Sequence, residues 1–174
     1  MDVETAIRTK REIRKFNQEK KVNEIEILKI LEAGRLAPSS KNRQPVRYVV
    51  IQKKETLEKL SKCTYSGDFL VTASFGVAVV TEDAKLPAID SARAVQNMML
   101  LAWSMGIGSC WITNFWEKGL EILGFPMNGR YRLITVIPFG YPHSEVAKPK
   151  GKKIRKEFHE VVFKEHSSQP WKII

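Results

Sequence analysis

Residues 87–113, PAIDSARAVQNMMLLAWSMGIGSCWIT, decide how this chain is read. Pro87 suits the first position of a helix, where its missing N–H is one of the unpaired donors anyway. From Ala88 to about Met105 apolar residues fall on most sides (Ala92, Ala94, Val95, Met98, Met99, Leu100, Leu101, Ala102, Trp103). That pattern predicts a central, packed helix of the kind often found in a subunit interface. Gln96 and Asn97 then read as buried helix polar groups satisfied at that interface. Gly106-Ile107-Gly108-Ser109 turns the chain tightly into a strand over Cys110–Thr113, and the two glycines serve that connection. Met98–Ile112 is the richest apolar run, but Ser104, Gly106, Gly108 and Ser109 interrupt it. It falls short of the roughly 18 unbroken apolar residues of a membrane span.

Working outward, Phe75–Thr81 (FGVAVVT) is a short apolar, β-branched run, the mark of a strand covered on both faces. Arg47–Gln52 (RYVVIQ) reads as another strand and Glu55–Lys62 as a short amphipathic helix. Val3–Lys10 is a short helix capped by Asp2. Asn23 with Glu26 three residues on forms a capping box for a helix that ends before Pro38. Residues 38–45, PSSKNRQP, are too polar and interrupted for an element and form a loop. Downstream come a helix over Glu117–Leu123, a strand over Tyr131–Phe139 ended by Gly140-Tyr141-Pro142, and a short helix in Ile154–Phe163 leading into an extended arm. Helices and strands interleave throughout, so the class is α+β or α/β. With 174 residues, 43% hydrophobic, one domain with one core is expected.

The formal charge is +10. Arg8–Lys15 holds five basic residues and one acid, and Lys148–Lys156 six basic residues and none; together they account for the whole surplus. Two short basic clusters around a neutral body fit either a local anionic ligand gripped from both ends or two solvated arms. Composition alone does not choose. Cys63 and Cys110 make no CxxC pair and read as reduced thiols; no metal-ligand spacing, Ser/His/Asp order, P-loop or GxGxxG occurs. His143, His159 and His166 read as surface residues. The charged N-terminus lacks an apolar export segment, so a cytoplasmic location is expected. Sparse side-chain chemistry beside anion-binding potential suits a protein whose cofactor carries the reaction.

The segment Lys10-Arg11-Glu12-Ile13-Arg14-Lys15-Phe16, the loop Ala37-Pro38-Ser39-Ser40-Lys41-Asn42-Arg43-Gln44-Pro45, the run Gly106–Ile112, the Gly140-Tyr141-Pro142 turn and Pro149-Lys150-Gly151-Lys152, in this order, resemble the nitroreductase family. The resemblance implies a three-layer fold with a central, mostly antiparallel sheet flanked by helices. It implies a single domain over 1–174, with 154–174 a possible arm onto the partner of a homodimer whose flavin sites lie between subunits. Its cofactor would be FMN, with NADH or NADPH as hydride donor. Hydride would pass through flavin N5 to a small acceptor, a nitroaromatic, a quinone or similar, in a ping-pong cycle.

Carried over residue by residue, the resemblance gives Lys10, Arg14, Lys150 and Lys152 to the FMN phosphate and ribityl chain, and Arg11 and Glu12 to the pyrimidine edge. A cation there, Arg11 or Arg14, would stabilise the negative charge of the reduced ring. Glu12 departs from the serine common in the family. Pro38, Ser39, Ser40 and Asn42, supported by Gln44, match the loop that reaches the other subunit's flavin, and Val46 stands where relatives often carry Trp. Trp111, Ile112, Thr113 and Asn114 match the segment lying against the flavin, with a backbone N–H toward N5. No residue is a catalyst in its own right, and no metal, membrane or nucleic acid is implied. The competing readings are a flavin carrier or sensor without turnover, and a nucleic-acid binder using the basic ends, against which the basic segments lack interleaved aromatics apart from Phe16 and Phe158.

Overall fold

Residues 1–147, 151 and 153–171 of a computed structural model are described below. Four strands, β1 (Val46–Ile51), β2 (Phe75–Glu82), β3 (Gly108–Ser109) and β4 (Tyr131–Gly140), form an antiparallel sheet in the order β1-β2-β4-β3. β2 is central, and every residue from Phe75 to Thr81 is buried. Its side chains alternate between two cores. Phe75, Val77 and Val79 face α2 (Glu24–Arg35) and α4 (Pro87–Ser104), joined by Ile30, Val95, Met98 and Phe139. Ala78 and Val80 face α3 (Lys54–Ser61) and α5 (Lys118–Ile122), joined by Leu57, Leu60, Leu70 and Leu120. Helices on both faces of the sheet make the three layers the sequence led one to expect.

Local signals placed most elements. Asp2 caps α1 (Val3–Thr9) by accepting the Thr5 N–H at 2.9 Å, and Asn23 with Glu26 forms a reciprocal capping box on α2. α4 ends on the left-handed Gly106, whose N–H reaches Trp103 O at 3.0 Å while the Ile107 N–H reaches Ala102 O at 2.9 Å. This paired bonding closes a helix at a glycine that bears no strained Cβ.

Two expectations need correction. Cys110–Thr113 is not a strand: β3 stops at Ser109, because the Ile112 and Thr113 carbonyls are taken by the hydroxyls of Thr135 and Thr64 instead of a neighbouring ladder. The short helix expected within Ile154–Phe163 is present as α7 (Phe158–Val161), and α6 (Ser144–Ala147) precedes it. In the single chain α4 buries one face only. Asp90, Ser91, Ala94, Val95, Met98, Met99 and Ala102 are buried, whereas Ile89, Ala92, Arg93, Gln96 and Asn97 are exposed. Gln96 and Asn97 are thus not buried here, although Asn97 Nδ2 donates to Ala33 O at 3.3 Å.

Gly108 packs so closely that an added Cβ would lie 2.7 Å from Ile13 Cγ1 and 2.8 Å from its Cβ. A β-branched, buried neighbour cannot swing aside. Gly108→Ala is therefore expected to lower unfolding free energy by about 1–3 kcal/mol in urea titrations. A variant as stable as the parent would show that this junction is loose.

Candidate functional site

The segment after α1 runs extended along the end of the sheet. Ile13 N–H donates to Ser109 O at 2.9 Å, Glu12 and Ser109 form a parallel bridge, and Asn17 N–H donates to Tyr141 O at 2.8 Å. Ile13 and Phe16 are its buried anchors, 3% and 2% exposed. Between them and α1 the charged residues stay on the rim.

There a cleft of about 490 Å³ is lined by Ile7, Lys10, Arg11 and Glu12, by Gln96 and Leu100 of α4, and by Lys153 and Arg155. Four cations face one carboxylate. Lys153 Nζ donates to Ile7 O at 2.8 Å and Arg11 to Thr9 O at 3.0 Å, so both also cap the C-terminal end of α1, where positive charge is favoured. Burial, then the neighbouring Arg11, Arg155 and Lys10, push the Lys153 ammonium below its ordinary pKa. Like charges held this close leave room for an anion, and a phosphate group fits that donor set. Lys153 and Arg155 were not singled out in the sequence beyond the Lys148–Lys156 run that contains them. Lys150 and Lys152, which were, lie outside the described residues.

Glu12 joins two site segments. One oxygen pairs with Lys10 Nζ and the other accepts the Trp111 N–H at 3.1 Å. Arg14 does not line the cleft: its guanidinium stands 6.0 Å over the Phe69 ring. Its charge, like those of Lys10 and Glu12, still reaches the Cys110 thiol, which is pushed up to about 12 by burial first and by Glu12 second. Cys63 and Cys110 are both buried and unpaired with each other. Trp111 is half-buried, Ile112 buried, and Thr113 and Asn114 exposed, with the carbonyls of 112 and 113 tied inward. The segment thus presents its outer side next to the 10–14 strip.

The loop 38–45 sits elsewhere. Gln44 N–H donates to Ser39 Oγ at 2.8 Å, the Gln44 side chain reaches Asn42, and Ser40 N–H donates to Asp90 Oδ1 at 3.0 Å. Lys41, Asn42 and Gln44 all have positive φ (53°, 53° and 51°), a costly conformation for residues other than glycine. Asp90, 3% exposed on the first turn of α4, holds the strained loop in place. Its role was not legible in sequence, since its partner is 50 residues away. Pro38, Ser39 and Gln44 rim a second cleft of about 510 Å³ whose floor includes Gly34, Val46, Tyr48 and Ala94. Val46 leaves space there that a larger side chain would occupy.

The two clefts meet different stretches of α4, the second at Asp90 and Ala94 and the cationic one at Gln96 and Leu100. Asp90 binds the loop at the first turn, and Trp103 Nε1 donates to Thr9 Oγ1 at 3.0 Å at the last. At 1.5 Å per residue these two hydrogen-bonding residues stand about 20 Å apart along the helix. One chain does not bring Ser39, Ser40 and Asn42 to Lys10 and Trp111. Among the described residues no cluster of three or more potential metal ligands occurs, and no helix is long and apolar enough to cross a membrane.

The sequence profile of the nitroreductase family matches residues 7–69 and 69–141. An Archaeoglobus fulgidus protein, provisionally named NADH dehydrogenase/NAD(P)H nitroreductase, is 35% identical over 151 residues, 80% of this chain and 84% of its own. The FMN-dependent nitroreductase of Clostridium difficile superposes with a TM-score of 0.81 at 26% identity, over 92% of this chain and 98% of that one. A provisionally named nitroreductase of Desulfovibrio desulfuricans, solved in complex with FMN, gives 0.82 at 26% identity, over 95% and 98%.

Two outcomes follow from the geometry. Asp90→Ala should speed amide exchange of residues 40–44 by about tenfold and cost about 1–3 kcal/mol, because a buried acceptor is lost; unchanged exchange would mean the loop is held by other contacts. The Cys110 thiol binds its proton more tightly in the folded protein than its ordinary value of 9.0 allows in the unfolded chain. Its contribution is whole below about pH 9 and is lost as pH rises toward about 12. Tyr48, pushed up from 10.0 to about 12 by burial, adds to the upper part. Urea midpoints between about pH 8 and 11 should fall in the parent and fall less in Cys110→Ala; parallel slopes would contradict this.

Proposed function

The chain belongs to the nitroreductase family, and on that premise we propose that it is an FMN-dependent oxidoreductase working as a homodimer. It passes hydride from NADH or NADPH to a small acceptor, such as a nitroaromatic or a quinone, in a ping-pong cycle. The observation that carries this reading is the four-cation cleft beside the Lys10–Arg14 and Cys110–Asn114 segments. Bound FMN would supply hydride acceptance and release at its ring. What the chain supplies is grip, orientation and charge.

Lys10, Lys153 and Arg155 suit a phosphate, and the family resemblance assigns Lys150 and Lys152 to the same group. Arg11 and Arg14 are the cations available to the pyrimidine edge, where they favour the reduced, negatively charged ring and so raise its potential. Trp111, Ile112, Thr113 and Asn114 are the segment that would lie against the flavin, with the carbonyls of 112 and 113 turned inward. Those tied carbonyls keep the segment rigid.

The α4 geometry supports the dimer. Pairing two copies of the helix antiparallel through its exposed Ile89–Ala92–Gln96 strip puts the partner's first turn, with its copy of the 38–45 loop, beside Gln96, which lines this chain's cationic cleft. Pro38, Ser39, Ser40 and Asn42 then serve the neighbouring site, with Gln44 bracing the loop. Ile154, Phe158, Val161 and Trp171, all exposed in the single chain, suit an arm lying on that partner.

Protein mixed with FMN and freed of excess should retain flavin bands that NADH or NADPH bleaches without oxygen. Failure to retain flavin overturns the reading. Lys153→Ala and Lys10→Ala should each weaken FMN retention by about tenfold, as losing a charge-assisted hydrogen bond does. Light scattering should give a dimer; a flavin-loaded monomer would defeat the shared site.

A further inference from the structure

Glu12 is the lone carboxylate of the cationic cleft, and both its oxygens are engaged there: one by Lys10 Nζ, the other by the Trp111 N–H at 3.1 Å. We propose that Glu12 is a specificity-determining residue that stands in for the cofactor's phosphate in the empty cleft and thereby narrows the enzyme's preference for FMN over unphosphorylated riboflavin. The inference rests on the reading of this cleft as the FMN phosphate site.

Three features carry it. First, the Lys10 side chain is only 12% exposed while that of Glu12 is 40% exposed. The ammonium is partly removed from water, so an anion is needed to compensate it, and Glu12 is the one provided. Second, Arg11 and Lys153 spend hydrogen bonds on the Thr9 and Ile7 carbonyls, leaving Lys10 the cation whose charged partner in the cleft is a carboxylate. Third, the Glu12 backbone is pinned by its bridge to Ser109 and by the Ile13–Ser109 hydrogen bond. Its carboxylate can rotate away from Lys10, but it stays at the rim.

An incoming phosphate dianion therefore competes for Lys10 with a tethered carboxylate and is then repelled by it. Occupation by the internal anion scales the apparent affinity down to the fraction of chains in which Lys10 is free. Repulsion between a single and a double negative charge a few ångströms apart, even at the dielectric of water, adds a factor of about ten. Riboflavin carries no phosphate and meets neither penalty. The wild-type cleft thus separates the two flavins less than its four cations would by themselves.

Glu12→Gln removes the charge and keeps an oxygen to accept the Trp111 N–H; Glu12→Asp keeps the charge on a shorter stem. The test titrates the full-length, flavin-free dimer and both variants with FMN and with riboflavin, reading flavin fluorescence and checking each fold by its thermal midpoint. Glu12→Gln is expected to bind FMN about tenfold more tightly than wild type with riboflavin changed less than twofold, and Glu12→Asp to keep the wild-type ratio. An unchanged or weakened FMN affinity in Glu12→Gln, or riboflavin shifting in step with FMN, overturns the role of Glu12 while leaving the cofactor reading intact. If wild type and Glu12→Gln bind neither flavin, the cofactor reading falls and this inference with it.

Discussion

The contact between Ile13 and the Gly108–Ser109 backbone is the constraint on which the candidate site depends. Ile13 fills the space a side chain at Gly108 would take, and its N–H is held by Ser109. Because Ile13 is buried at this point, its neighbours Glu12 and Arg14 stay on the outside, where they meet the 110–111 backbone and the Cys110 thiol. The same pinning carries Lys10 and Arg11 to the mouth of the cleft. A slip of one residue in this strip would bury a charge and expose an isoleucine, so burial enforces the register.

α4 organises the remainder. One face packs against β2 and β4 through Val95, Met98 and Ala102; its ends hold two different devices, the Asp90–Ser40 hydrogen bond and the Trp103–Thr9 hydrogen bond. Within one chain the helix holds the loop at its first turn and presents Gln96 and Leu100, farther along, to the cationic cleft. Its unburied strip is the surface through which two chains could reunite them. The strained, left-handed residues of the loop fit the same picture: Asp90 and Ser39 stabilise a conformation that residues 41–44 would not adopt unaided.

Electrostatics at the cleft is a balance of unequal parts. Four cations are brought together by the end of α1, which accepts hydrogen bonds from two of them, and by one carboxylate, which neutralises a third. Such a cluster is held by the fold against its own repulsion, which adds to burial in lowering the Lys153 ammonium below its ordinary pKa. It gains when an anion enters, and in that sense the cleft is prepared for its ligand.

Elements whose signals are local could be read directly from sequence. The Asn23–Glu26 capping box, Pro87 at a helix start, Gly106 at a helix end and the unbroken apolar run of β2 each state their role within a few residues, and each element formed where read, within a residue or two at its ends. The basic character of both chain ends was legible too, as were the segments 10–14, 38–45 and 110–114, because motif order survives without coordinates. Contacts between distant residues were not. That Cys110–Thr113 leaves the sheet depends on hydroxyls of Thr64 and Thr135; that Asp90 holds the loop depends on a partner 50 positions away; that Glu12 occupies Lys10 and Trp111 depends on which rotamer the packed strip allows. Sequence by itself determined most of the elements, the α+β or α/β class and the chemistry available, since these follow from periodicity and residue type, and motif order added the layered fold through the family resemblance. Only the tertiary structure decided which charges share a cleft and which stretch of α4 each motif meets, because long-range packing sets those distances.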